Sequence, residues 1–191
     1  MKNTIALVCL LFMAAGLYAQ DSSAIHHPLE KHLKNVHQLT FGGDNAEAYW
    51  NFKSNALIYQ YTNKKNDINC DRIYYYPLWR GYQDTLLMPT PVSSGKGRTT
   101  CSYFLPGDSL VIYASTHVKI DTCPAEPPHI KGKYLWPLYP EFELFVSDLN
   151  GNIVKQLTDN NYYDAEATVS PKGDKIVFTS DRSGDLELWT M

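Results

Sequence analysis

The sequence predicts an all-β fold assembled from repeated four-stranded antiparallel units. Three observations carry this. Tyrosine is frequent, at 14 of 191 residues, and runs of helix-favouring Ala, Glu and Lys are missing; that balance suits pleated, half-buried strands. Short apolar or alternating runs recur between turns rich in Gly, Pro, Asn and Asp, which is the pattern of strands joined by reversals. One plan is also written three times, most clearly over 164–189 as DAEATVSPKGDKIVFTSDRSGDLELW: strand, turn, apolar strand, turn, strand.

Taken in order, residues 1–19 read as a secretory signal peptide. Lys2 supplies a basic start, residues 5–16 form an apolar run too short to span a bilayer, and Ala19 offers a cleavage site before Gln20. Cys9 lacks the small residues expected ahead of a lipidated cysteine. Without Lys2 the mature chain has 16 basic against 20 acidic residues, a net of −4. Mild acidity gives no reason to expect nucleic acid or anionic membrane as a partner. No integral membrane segment is expected once the signal is removed. Residues 20–34 are polar, hold His26, His27 and His32, and read as an irregular lead-in.

The first unit is expected over 35–88. Ala46, Glu47 and Ala48 open a strand ending near Phe52, Lys53-Ser54-Asn55 turns, residues 56–61 alternate, and a Tyr-rich strand at 72–78 stops at Pro77. A Pro/Ser/Gly loop over 89–97 leads to the second unit, 97–158. Its strands are 100–105, 110–115, 143–148 and 153–158, with the turn Pro106-Gly107-Asp108 between the first two. A Pro-rich insertion over 117–140 interrupts it, and Asn150-Gly151 is a tight hairpin signal. The third unit, 159–191, turns on Pro171, Gly173 and Asp174.

Aligned on their second strands, Tyr59, Tyr113 and Phe178 correspond, as do Phe52, Pro106 and Pro171. Ala46-Glu47-Ala48 recurs as Ala165-Glu166-Ala167, and Gln38-Leu39-Thr40 as Gln156-Leu157-Thr158. Four-stranded units of this period cannot bury both faces alone and stack as the blades of a β-propeller. The run 170–180, SPKGDKIVFTS, with Leu157-Thr158 before it and Asp185-Leu186-Glu187-Leu188-Trp189 after it, resembles the repeat of TolB-type β-propellers. The resemblance covers roughly residues 31–191 and implies an all-β propeller, with two to three blades in this chain. It also implies that residues 31–40 form a last strand awaiting partners from the C-terminus, and that the chain is an N-terminal fragment.

Candidate chemistry is sparse. The loop 93–100, SSGKGRTT, lacks the glycine spacing and the Lys-Ser/Thr step of a phosphate loop. Residues 180–185, SDRSGD, fail the alternating-carboxylate spacing of a calcium loop and suit a hairpin turn. Glu47 and Glu166 occupy equivalent repeat positions, which points to structure rather than a catalytic pair. Cys70, Cys101, His117 and Cys123 lack the paired short spacing of a zinc site. In an oxidising compartment two of the three mature cysteines should pair; Cys101–Cys123, pinning the insertion, is the first expectation and Cys70–Cys101 the second. The cluster Tyr134-Leu135-Trp136-Pro137-Leu138-Tyr139 reads equally as a recognition surface or as a plug over the blade.

No catalytic residue, cofactor or metal is expected. The TolB resemblance implies a secreted or periplasmic module that binds an envelope protein. The competing expectation is the gating propeller of a prolyl-oligopeptidase-like or dipeptidyl-peptidase-like serine peptidase, whose catalytic domain would follow residue 191.

Overall fold

The computed structural model describes residues 27–78, 89–128, 130–133 and 135–191. The expected signal peptide, with Ala19 and Gln20, lies outside them. Residues 27–38 belong to a first unit and form turns: the Glu30 N–H donates to the His27 carbonyl at 2.8 Å, and the Glu30 carboxylate accepts from the His32 and Leu33 N–H groups.

Residues 39–191 form one unit of three antiparallel sheets. The first is β1 (Asp44–Trp50), β2 (Ala56–Asn63), β3 (Ile68–Pro77) and β4 (Thr90–Pro91). The second is β5 (Thr99–Phe104), β6 (Leu110–Ser115), β7 (Glu143–Asp148) and β8 (Ile153–Gln156). The third is β9 (Asp164–Val169), β10 (Ile176–Ser180) and β11 (Glu187–Thr190). In each sheet neighbours in sequence are neighbours in space, the meander expected of a propeller blade. Two expectations are corrected. The strand expected at 31–40 is absent among the described residues, and the first sheet, expected to have three strands, gains a fourth in Thr90–Pro91, which the sequence reads as loop. Proline is tolerated there because β4 is an edge strand with no further ladder to serve.

The sheets stack face to face, and the middle one is buried on both sides. On β6, Val111 and Tyr113 pack with Ile58, Ile73 and Phe104 against the first sheet, while Ile112 and Ala114 pack with Tyr163, Ala165 and Phe178 against the third. That explains why β6 reads as an unbroken apolar run: alternation disappears when both faces are covered. β1, at the other extreme, is exposed along its whole length.

The first strand of each sheet, at its edge, carries a β-bulge at the same place. The register skips between Ala46 and Tyr49 in β1, between Thr100 and Ser102 in β5, and opposite Val177–Thr179 in β9. Glu47, Cys101 and Glu166 sit there with φ of 50°, 40° and 59°. The residues facing the three bulges are Tyr59, Tyr113 and Phe178, the positions that correspond in the repeat. An extra residue in one strand bends it and raises its twist, which curls each blade at that edge.

The repeat turns are also joints between blades. The Asp108 carboxylate, in the β5–β6 turn, accepts from the backbone N–H groups of Phe52 and Lys53 in the β1–β2 turn, at 2.8 and 3.1 Å. In the β9–β10 turn the Gly173 N–H donates to the Ser170 carbonyl at 2.8 Å, and Asp174 accepts from the Ser170 hydroxyl at 2.7 Å. A Cβ on Gly173 would lie 2.7 Å from Pro106 Cγ, so the third turn seats directly on the second. Asp108→Ala is expected to cost about 1–2 kcal/mol in urea denaturation, since it removes two charge-assisted bonds and leaves an alanine at φ 61°. Asp108→Asn, which tolerates that φ, should cost less.

Among the described residues no helix is long and apolar enough to cross a membrane.

Candidate functional site

The insertion between β6 and β7 is the part of the molecule that the repeat does not explain, and it is tied down at every end. Its first turn folds against the entry to β5. The Gly97 N–H donates to the Asp121 carbonyl at 2.7 Å, Arg98 and Thr116 exchange hydrogen bonds, and the Thr116 hydroxyl reaches the Ile120 carbonyl. Only glycine fits at 97: a Cβ would meet Thr116 Oγ1 at 2.5 Å and the Ile120 oxygen at 2.6 Å, and φ is 60°. Lys119 then reaches the fully buried Glu143 carboxylate at 2.6 Å and also donates to the Asn160 carbonyl.

This turn sends the chain back toward the first sheet, and the cysteines follow. Cys123 is bonded to Cys70 in β3, with the Cα atoms 5.6 Å apart, an ordinary separation for a disulfide. The expected Cys101–Cys123 pair, and its alternative Cys70–Cys101, are therefore corrected. Cys101 is a free thiol on the bulge of β5, whereas the insertion crosses to β3 of the neighbouring sheet. Belonging to one repeat unit does not place two cysteines together when the insertion leaves that unit's sheet.

Between this insertion, a strap across the first two sheets, and the sheets themselves lies a cavity of about 330 Å³. Its strap side carries Pro127, Pro137, Trp136 and Tyr139, and its blade side Gln60, Asp71, Arg98 and Phe142. Arg98 is held from three directions: Nη1 lies 3.4 Å from Asp71, Nη2 lies 3.3 Å from Glu126, and the guanidinium stands 5.8 Å from the Tyr139 ring centroid. Asp71 also accepts from the Thr62 hydroxyl, and the Tyr139 hydroxyl donates to the Ala125 carbonyl at 3.0 Å. Two buried polar atoms on this lining have no partner, Gln60 Oε1 and Arg98 Nε. On the strap Trp136, Ile130, Leu135 and Leu138 are all more than two-fifths exposed, and the first three line the cavity.

The bulges form a second convergence. Tyr49 donates to Glu47 and Thr179 to Glu166, each at 2.8 Å, and the Tyr49 and Tyr103 rings meet edge to face at 5.6 Å. Burial, together with the charges of Glu47 and Glu166, pushes the Cys101 thiol up to about 11. It is protonated at neutral pH and therefore a poor nucleophile. Among the described residues no group of three or more His, Cys, Asp or Glu is arranged to hold a metal ion. His117 stacks on Phe145 at 4.4 Å and bonds Ser115; burial lowers its pKa.

The remaining loops are scaffold. In the 180–185 loop Asp181 accepts from the Tyr163 N–H at 2.9 Å, and Arg182 chelates Asp164. The 93–100 loop carries Ser93, whose hydroxyl accepts from the Ile73 N–H, and Gly97, whose carbonyl accepts from Arg72. Gln60, Asp71 and Arg98 carried no signal in the sequence, because each lies in an ordinary strand or loop and only the strap gives it a cavity to line.

No family model and no curated protein matches the chain. Among solved structures it is similar to one described as a putative TolB from Agrobacterium tumefaciens, with a TM-score of 0.57 and 18% identity, over 80% of this chain and 47% of that one. The fold is that of a TolB-like propeller. This chain spans about half the length of that structure.

Burial of the phenols makes the propeller sensitive to base. Tyr113 is fully buried, and burial pushes it from 10 up to about 12; Cys101 rises from 9 to about 11. At these two groups the folded state keeps protons that the unfolded chain releases, so their contribution is constant below about pH 9 and declines as pH rises through 9–12. Tyr113 alone should remove about 2 kcal/mol by pH 12. Thermal melts should be flat from pH 7 to 9 and then decline, with a shallower decline for Tyr113→Phe.

Proposed function

We propose that this chain is a secreted or periplasmic propeller module that binds a protein partner through the strapped insertion and performs no catalysis itself. The observation that carries the reading is the strap. A segment rich in proline and aromatic residues is fixed by a disulfide, two ion pairs and backbone bonds, yet it leaves Trp136 52% exposed beside Leu135, Leu138 and Ile130. Large apolar side chains held rigidly at the surface suit recognition, because little conformational entropy is lost on binding. The likeness to a TolB propeller supports the choice of a binding module, and the signal-like N-terminus together with the disulfide supports an oxidising compartment.

The test is capture from an envelope extract on immobilised chain, comparing wild type with Trp136→Ala/Leu138→Ala. A specific protein retained by the first and reduced at least about tenfold by the second is expected, because central aromatic contacts carry about 2 kcal/mol or more. Equal retention by both, or none by either, sinks the reading. The mature N-terminus recovered from the cell should be Gln20.

A further inference from the structure

Resting on that reading, we infer that the Cys70–Cys123 bond is a redox latch on the recognition surface. A dithiol donor opens it, the strap comes away from blades that stay folded, and the partner is released. Three features carry this.

The two sulfurs are unequally placed. Cys70 is 1% exposed in β3, whereas Cys123 is exposed in the strap. A donor thiolate therefore meets the Cys123 side of the bond first, and exchange depends on such access. Its attack on Cys123 Sγ makes a mixed disulfide and sends the bonding pair to Cys70 Sγ, which takes up a proton. The donor's second thiolate then attacks the donor sulfur of that mixed disulfide. Cys123 leaves and is protonated, and the donor departs as a cyclic disulfide. Two electrons and two protons have passed from donor to protein.

The strap is also lightly held apart from this bond. Over 122–138 it has no strand of its own and spans the cavity of about 330 Å³. Its described residues reach the sheets through side chains, Glu126 to Arg98 at 3.3 Å and Trp136 to the Tyr163 hydroxyl. The Glu126 side chain is 63% exposed, and pairs open to water hold weakly. Arg98 Nη2 also lies 3.9 Å from Cys123 Sγ, so the same guanidinium guides the cysteine back when the bond closes again.

The blade cores, finally, do not include the bond. Neither Cys70 nor Cys123 belongs to the apolar clusters that pack the three sheets together. Opening is therefore local. Once the strap is free, Ile130, Leu135 and Trp136 must be ordered again before a partner can use them, and that entropy opposes binding.

The experiment treats the folded chain with dithiothreitol in plain buffer and, in parallel, in urea. Samples are quenched with acid, alkylated after unfolding, and mapped by mass spectrometry. Cys70 and Cys123 are expected to open in buffer within about tenfold of the rate in urea. The far-UV circular dichroism should not change, and added protease should cut only within 121–139. Cys70→Ser/Cys123→Ser, immobilised without reductant, should retain at least about tenfold less envelope partner than the oxidised chain. Slower opening in buffer than that limit, loss of the strand signal in the reduced chain or the double variant, or a reduced strap that still resists protease overturns the inference. The two readings fail separately. A partner held equally by the oxidised chain and the folded double variant refutes the latch alone. No partner on the oxidised chain refutes the module, while opening of the strap is still read by mapping and proteolysis.

Discussion

Cys123→Ser is expected to lower the unfolding free energy by about 4 kcal/mol in urea denaturation under oxidising conditions. Cys70 and Cys123 are 53 residues apart in sequence, and in the chain-entropy account closing a loop of that size removes about 4 kcal/mol of unfolded-state freedom. The bond also fixes the strap. Cys70 is 1% exposed in β3, while Cys123 and Glu126 lie in a segment with no strand of its own and hold it to Cys70 and Arg98. The loss should therefore be twofold. Stability falls, and limited proteolysis after reduction should cut within 121–139 before it cuts any blade. A variant as stable as wild type, with the strap still resistant, would show that the remaining contacts suffice. Because Cys101 is half-buried on the β5 bulge with a raised pKa, alkylation mapped by mass spectrometry at pH 8 should mark it slowly in the folded chain and quickly after unfolding.

Arg182→Ala is expected to cost about 3–5 kcal/mol. The Asp164 side chain is wholly buried at the start of β9, and Arg182 Nη2 lies 2.9 and 2.8 Å from its two oxygens. The same guanidinium donates through Nε to the Ser180 hydroxyl at 2.9 Å and stands over the rings of Phe178 and Trp189 at 5.1 and 5.2 Å. Removing it strands a buried carboxylate with only the Asn160 amide, 2.7 Å away, as a side-chain partner, and that penalty dominates the lost attraction. Arg182→Met/Asp164→Asn should recover more than half of the loss, since it removes the charge along with its partner. If the double variant were no better than Arg182→Ala, packing of the guanidinium over the two rings, rather than the ion pair, would be the main stabilising term.

The first effect arises where the repeat meets the non-repetitive strap and the second within the third repeat itself, and the sequence was informative in proportion to locality. The bounds 110–115 and 143–148 match β6 and β7, because a doubly covered strand announces itself by unbroken apolar character. The alignment of Tyr59, Tyr113 and Phe178 marked the residues opposite the bulges, although nothing in the sequence announced bulges: glutamate and cysteine are not residues that signal positive φ. The 31–40 segment was misleading for a different reason. Gln38-Leu39-Thr40 repeats Gln156-Leu157-Thr158 as text, but likeness in text does not set a ladder, and no strand forms over 31–40 among the described residues. Thr90–Pro91 forms a strand without strand-like text, because Tyr74 and Tyr75 in β3 present an edge to it.

By itself the sequence determined the all-β class, the antiparallel meander, the turn chemistry at Asp108 and Gly173, and which unit carries the insertion. These depend on periods of two residues and on turns a few residues long, where propensity and sterics act within the chain. Only the tertiary structure decided the Cys70–Cys123 pairing, the meeting of Glu47, Cys101 and Glu166, and the cavity that joins Gln60 and Arg98 to the strap. Those depend on how far an insertion without periodicity travels before it finds contacts. Here the course is set by the close approach of Gly97 to Thr116 and by the anchoring of Lys119 on a buried glutamate, contacts between residues that are distant in sequence.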